Sequence, residues 1–240
     1  LNPNFELSDA EVEKWNIILA DLQQEKPIQY ITGEAWFYGL KFEVNENTLI
    51  PRPETEELVE WILNSPIIHH PSSMNILDIG TGTGCIPISL KANLPQANVS
   101  AIDVSEKALE VAKRNAKSNK VEINFIQTNI LEVEDLNQYF DIIVSNPPYV
   151  RNLEKEEIKK NVLDYEPHLA LFVEDTDALL FYRKIAQLAL KNLAPNGLLF
   201  FEINQYLGKE TVELLENLGF KNIELKKDMY GNDRMVKSTR

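Results

Sequence analysis

The tetrapeptide Asn146-Pro147-Pro148-Tyr149 joins an amide and an aromatic ring through two stiff residues, a combination suited to gripping a small planar polar group. It follows directly on the apolar run Phe140-Asp141-Ile142-Ile143-Val144-Ser145, which reads as a buried strand. Consecutive prolines supply no ladder donors and fix φ, so the strand must stop there with Asn146 at its carboxyl end. In open α/β sheets ligands bind just outside those ends. Taken alone, the same residues also read as a strand terminator with an asparagine turn. The glycines upstream favour the grip.

Those glycines lie between a short apolar strand, Asn75-Ile76-Leu77-Asp78-Ile79, and an apolar helix start, Cys85-Ile86-Pro87-Ile88-Ser89-Leu90. The turn Gly80-Thr81-Gly82-Thr83-Gly84 would bring backbone N–H groups beside a ligand with no Cβ in the way. Gly-x-Gly alone is shared by several nucleotide folds. The dinucleotide fingerprint needs a further glycine three residues on, where this chain has Cys85, and no Gly-Lys-Ser/Thr follows to make a phosphate-binding P-loop. A second strand, Val99-Ser100-Ala101-Ile102, ends in Asp103, 19 residues after Gly84. A carboxylate there can accept both hydroxyls of an unmodified ribose, or it can cap the helix expected over Glu106–Ser118. A third strand, Ile123–Gln127, leads into Thr128-Asn129-Ile130, where Ile130 would give apolar cover and Asn129 an amide beside a bound base.

Together these pieces resemble the class I S-adenosylmethionine-dependent methyltransferases. More narrowly, the chain is similar to the protein-glutamine N5-methyltransferases of peptide chain release factors, from about Pro27 to its end. The likeness rests on Ile50-Pro51-Arg52-Pro53-Glu54-Thr55-Glu56, on Leu77 through Gly84, on Val144 through Tyr149, and on the tail Asp228-Met229-Tyr230-Gly231-Asn232-Asp233-Arg234. It implies a Rossmann-like α/β fold with a mostly parallel seven-stranded sheet, an antiparallel edge strand, and a small N-terminal helical piece and β-hairpin. It also implies S-adenosylmethionine as cofactor, bound by Asp78, Gly80, Thr81, Gly82, Thr83, Gly84, Asp103, Asn129, Ile130 and Asn146. The implied catalytic residues are Asn146, Pro147 and Tyr149, with Pro148 and Arg52 joining them in substrate binding. Asn129 departs from the pattern, since the superfamily often places an acid there.

An amide nitrogen is a poor nucleophile because its lone pair is delocalised into the carbonyl. Two acceptors holding both N–H groups would let it pyramidalise toward an activated methyl. The Asn146 side-chain carbonyl and the Pro147 backbone carbonyl suit that task, with Tyr149 packing on the amide and the cationic methyl. The implied reaction is methylation of the glutamine of a release factor's Gly-Gly-Gln motif. A nucleic-acid amino-methyltransferase acting on adenine N6 or guanine N2 is the alternative, because the same grip fits an exocyclic amine. A non-catalytic cofactor-binding domain is a third reading, opposed by the intact tetrapeptide.

Arg52, between two prolines, could hold a substrate carbonyl or carboxylate, or pair with neighbouring glutamates. Glu54 and Thr55 read as helix-start residues. The segment Val150–Val173 reads as a long loop in which His168 is either polar lining or a structural turn residue, and the charges of Leu153–Lys160 as a solvated helix face.

A chain of 240 residues with 44% hydrophobic and 25% charged residues is ordinary for a soluble globular protein. The net charge of −13 argues against a wide nucleic-acid footprint, so no direct nucleic-acid contact is expected. Cys85 is the only cysteine, which excludes an intrachain disulfide and fits a cytoplasmic protein. Its place at a helix start could lower its pKa, although a small packing residue is the simpler reading. No stretch reads as a membrane span, and a monomer is expected. Because the chain opens at Leu1 rather than Met, a shortened chain or missing N-terminal residues are expected.

Ser8-Asp9-Ala10-Glu11 reads as a capping box opening a helix to about Glu25, with Val12, Trp15, Ile18, Leu19 and Leu22 on one face. The resemblance implies that residues 1–26 are a remnant of a helical substrate-binding domain, 27–50 a β-hairpin linker, and 51–240 the methyltransferase domain. A helix is expected from Pro53 through Leu63. His69 and His70, in the linker 64–73, lack ligand-spaced partners and read as solvated residues rather than a metal site.

Overall fold

The computed structural model describes residues 7–69 and 73–240. Helix α1 spans Asp9–Gln23 and opens on the expected capping box, with the Ser8 side chain accepting from the Glu11 N–H and Glu11 accepting from Ser8. Its apolar face stays uncovered: no residue of α1 is buried and Trp15 is 53% exposed. A short α2 (Ile28–Thr32) leads to the hairpin of β1 (Glu34–Phe37) and β2 (Leu40–Glu43). Its turn residues Tyr38 and Gly39 both have positive φ, the handedness that matches the twist of tight hairpins. Helix α3 (Pro53–Leu63) starts with proline at its first position and acids in its first turn, as the sequence requires. A short turn, Pro66–His69, follows; His70 lies outside the described residues.

From there strands and helices alternate: β3 (Asn75–Ile79), α4 (Cys85–Asn93), β4 (Asn98–Asp103), α5 (Glu106–Ser118), β5 (Asn124–Gln127) and β6 (Phe140–Ser145). The segment expected as a loop is instead folded. It contains the two-residue strands β7 (Val150–Arg151) and β8 (Phe172–Val173), paired in parallel, and the short helices α6 (Lys160–Tyr165) and α7 (His168–Leu171). The charge run forms a 3-10 helix, Asn152–Glu157, with Leu153, Lys155, Glu156 and Glu157 exposed as expected for a solvated face, while Glu154 within it is buried. Helix α8 (Leu180–Asn192), β9 (Leu193–Glu202), α9 (Gly208–Leu218), β10 (Lys221–Lys227) and β11 (Asp233–Thr239) complete the chain.

The seven-stranded sheet runs β10-β11-β9-β6-β3-β4-β5. It is mostly parallel, as expected for alternating strands and helices. The reversed strand, expected at the edge, lies one place in: β11 is antiparallel to both β9 and β10. Folding back inward from β10 gives β11 two neighbours and leaves the more polar β10 at the rim. Central strands bury both faces, so consecutive residues feed opposite cores. Ile76, Ile142, Val144 and Phe200 pack on the side of α3 and α4, whereas Leu77, Ile143, Leu199 and Phe201 pack with residues of α8. The hairpin is fastened to this body. Buried Asn115 of α5 accepts from the Glu43 N–H at 2.6 Å and donates to the carbonyls of Glu43 and Thr83, both at 3.0 Å. Among the described residues no helix is long and apolar enough to cross a membrane.

Candidate active site

The carboxyl ends of β3, β4 and β6 meet around a cavity of about 390 Å³. The turn after β3 is anchored by two N–H bonds, Gly80 and Thr81 both donating to the Ile102 carbonyl at 2.8 and 3.0 Å. Gly80, Gly82 and Gly84 have φ of +79°, +52° and +79°, a region that side chains disfavour. Their surroundings differ. A Cβ on Gly82 would meet nothing within 4 Å, which leaves its backbone open to a ligand. A Cβ on Gly84 would come within 2.9 Å of Ile88 and 3.1 Å of Ala112, so that glycine serves the packing of α4 on α5 and does not line the cavity. Thr81 and Thr83 line it beside Gly80 and Gly82.

Asp103 ends β4 at the cavity wall. Its two oxygens accept the Gly82 N–H at 2.8 Å and the Ser105 N–H at 2.9 Å. The cap of α5 is Ser105, whose hydroxyl accepts from the Ala108 N–H, so the helix-cap role falls to the serine. Burial pushes the Asp103 carboxyl up, opposed by these N–H groups. Each oxygen keeps acceptor capacity for a ligand hydroxyl. Asn129 and Ile130 also line the cavity, but the Asn129 side chain is engaged locally. Its oxygen accepts from the Leu131 N–H and its amide donates to Glu132.

Asp78 is fully buried behind the glycine turn and does not line the cavity. Burial pushes its carboxyl up to about 7, opposed by the Thr81 hydroxyl, with the Asp103 charge adding to the rise. Cys85 lines the cavity at the start of α4, but burial pushes its thiol up to about 12. The helix terminus does not activate it, so it packs as a small apolar residue.

Asn146, Pro147 and Pro148 reach the cavity from the end of β6, where Ser145 donates its hydroxyl to the Ile79 carbonyl at 2.6 Å and locks the two strand ends together. Tyr149 does not line this cavity. Its hydroxyl donates to Glu202 at 3.1 Å, and it borders a second hollow with Glu154, Tyr206 and Arg234. Burial pushes its phenol pKa well up. Arg52 lines the main cavity and pairs with Glu166, not with the adjacent glutamates. His168 is turned to the Leu163 carbonyl at 2.8 Å and does not line the cavity.

Four participants escaped the sequence reading. Thr55, read as a helix-start residue, also lines the cavity and accepts from the Asn146 side-chain amide at 3.3 Å. Glu202 and Arg234 stand behind Tyr149, and Glu166 behind Arg52. One signal was available: Glu202 is a lone acid closing the apolar run Leu198-Leu199-Phe200-Phe201 at a strand's carboxyl end.

The family model described as "Methyltransferase small domain" matches residues 58–168. The release factor glutamine methyltransferase of Flavobacterium psychrophilum is 66% identical over 238 residues, covering 99% of this chain and 84% of that protein. The protein of the same name from Bacteroides thetaiotaomicron is 44% identical over 235 residues, covering 98% of this chain and 83% of that one. Among solved structures, a T. thermophilus 16S rRNA N2 methyltransferase in complex with AdoMet and guanosine superposes with a TM-score of 0.61 at 18% identity, covering 86% of this chain and 49% of that one. At that identity the likeness concerns the fold.

Proposed function

The chain belongs to the release factor glutamine methyltransferases, and from that premise we propose that it methylates the side-chain amide nitrogen (N5) of the Gly-Gly-Gln glutamine in a peptide chain release factor, using S-adenosylmethionine. One observation carries the reading: Asn146, Pro147 and Pro148 line the same cavity as the glycine turn and Asp103. The proposed nucleophile grip and nucleoside cradle thus share one cavity. The residues fit the cofactor. Gly80 and Gly82 leave backbone open where a side chain would intrude, Asp103 offers a carboxylate to ribose hydroxyls, and Ile102 and Ile130 line the wall with apolar surface.

When bound, the sulfonium cofactor supplies an activated methyl group. The chain's own residues position the acceptor. Asn146 Oδ1 and the Pro147 carbonyl receive the two N–H groups of the substrate amide, which frees the nitrogen lone pair toward the methyl. The prolines fix the direction of the Pro147 carbonyl, and the apolar lining limits water. Because the nitrogen loses its proton only after the new bond forms, no general base is needed. Tyr149 supports the site from behind through Glu202. Arg52 stands at the cavity wall with Glu166 holding its guanidinium. The same reading takes residues 1–26 as part of a substrate-holding helical domain, 27–50 as its linker and 51–240 as the methyltransferase domain. It places the enzyme in the cytoplasm as a monomer, with the release factor as partner and no nucleic-acid or membrane contact.

The test uses methyl-labelled S-adenosylmethionine with a release factor, its Gly-Gly-Gln→Gly-Gly-Ala variant, and total RNA and DNA. Label is expected on the wild-type factor alone. Asn146→Ala is expected to lower transfer by on the order of 100-fold or more while cofactor binding persists. Label on nucleic acid instead would replace this reading with an amino-methyltransferase of bases.

A further inference from the structure

Behind the cavity one buried carboxylate terminates two chains of hydrogen bonds. Glu202, at the carboxyl end of β9, accepts the Thr55 hydroxyl at 2.6 Å and the Tyr149 hydroxyl at 3.1 Å. Past Thr55 the first chain continues to Asn146, whose Nδ2 lies 3.3 Å from Thr55 Oγ1. Past Tyr149 the second continues to Arg234, whose Nη1 lies 3.4 Å from the phenol oxygen. Thr55 and Glu202 are only 3% and 1% exposed, so bulk water does not compete for these bonds.

An asparagine amide has a donor end and an acceptor end of nearly equal size, and packing alone barely distinguishes them. A chain of hydrogen bonds with fixed polarity does. Burial pushes the Glu202 carboxyl up, opposed by the Thr55 hydroxyl, the Arg234 charge and the Tyr149 hydroxyl. In its ionised form it can only accept, and the single Thr55 proton is then committed to it. The Thr55 oxygen is then available only as an acceptor, and the end of Asn146 it can receive is the NH2. That leaves Oδ1 for the cavity. The flipped amide would confront the substrate's NH2 with another NH2, donor against donor, and the substrate nitrogen would lose an acceptor.

We propose that Thr55 and Glu202 are positioning residues that hold the Asn146 amide with its oxygen toward the substrate. This rests on the reading that Asn146 receives the glutamine amide. Neither residue touches the reacting atoms; both act through Asn146.

Thr55→Val removes the hydroxyl at nearly constant shape, and Thr55→Ser keeps the hydroxyl while losing a methyl. With the release factor as substrate, Thr55→Val is expected to lower kcat by about 10- to 100-fold, with KM for the cofactor changed less than about twofold. Thr55→Ser is expected to retain most of the wild-type kcat. Glu202→Gln, which can present a donor to Thr55, is expected to behave like Thr55→Val. A second readout is independent of turnover: the Asn146 side-chain amide protons, assigned by their loss in Asn146→Asp. They are expected to exchange slowly with solvent in the wild type and Thr55→Ser, and about tenfold faster in Thr55→Val. Equal kcat and equal exchange in Thr55→Val and wild type would overturn the proposal. So would a Thr55→Val protein whose cofactor affinity and melting temperature fall in step with its activity, since that marks a merely structural role. If wild-type protein labels no release factor, the substrate reading fails, and the amide exchange still decides whether Thr55 holds Asn146.

Discussion

Asp78 shows how one side chain links the site to stability. It is fully buried, and burial holds its carboxyl at about 7, above the ordinary 3.8, against the opposing pull of the Thr81 hydroxyl. Between those values the folded chain binds a proton that the unfolded chain lacks. The stability associated with this group is therefore complete below about pH 4 and is lost as pH rises through 7. Asp78→Asn is expected to raise the melting temperature by several degrees at pH 8, with the gain shrinking toward pH 5 and vanishing near pH 4. Thermal unfolding across that range checks it; an equal gain at every pH would place the cost elsewhere. Legibility at this scale followed locality. Asn146 and Asp103 each close an apolar run, so the chain marks them as strand ends. Thr55 carried no such mark, because its role depends on Glu202, 147 residues away.

The segment from Val150 to Val173 makes the corresponding case for elements. It lacks the sustained period of a helix or strand, and it reads as a loop for that reason. Its elements are too short to show a period: two residues each in β7 and β8, six in α6 and four in α7. Long-range bonds hold them. Glu166, its side chain only 1% exposed, accepts from the Ile50 N–H at 3.1 Å and pairs with Arg52, which fastens this segment to the chain entering α3. Pro167, Leu169 and Ala170 thereby become part of the cavity wall. Glu166→Ala leaves a buried N–H and a guanidinium without their acceptor, at an expected cost of about 1–3 kcal/mol. Urea unfolding measures that, and limited proteolysis should show earlier cleavage within 150–173. An unchanged midpoint with unchanged proteolysis would mean that the segment is held by its apolar contacts alone.

For the whole molecule, the cavity joins strand ends, the glycine turn and the segment fastened by Glu166, so a ligand filling it should stabilise all of them together. Cofactor at 100 times its Kd is expected to add about 2.7 kcal/mol, which for a chain of this size raises the melting temperature by roughly 5–10 °C. A thermal shift assay reads this directly, and no shift at saturating cofactor would count against the cofactor assignment. The sequence by itself determined the alternating α/β order, the glycine turn after β3, the strand end at Asn146 and the carboxylate at Asp103. These are written in local periods and in glycine and proline punctuation, which act over a few residues. Tertiary structure alone decided that β11 lies inside the sheet's edge, that Tyr149 faces Glu202 rather than the cavity, that Arg52 pairs with Glu166, and that Thr55 grips Asn146. Each of these depends on which distant groups the fold brings within hydrogen-bond reach, and no local pattern encodes that distance.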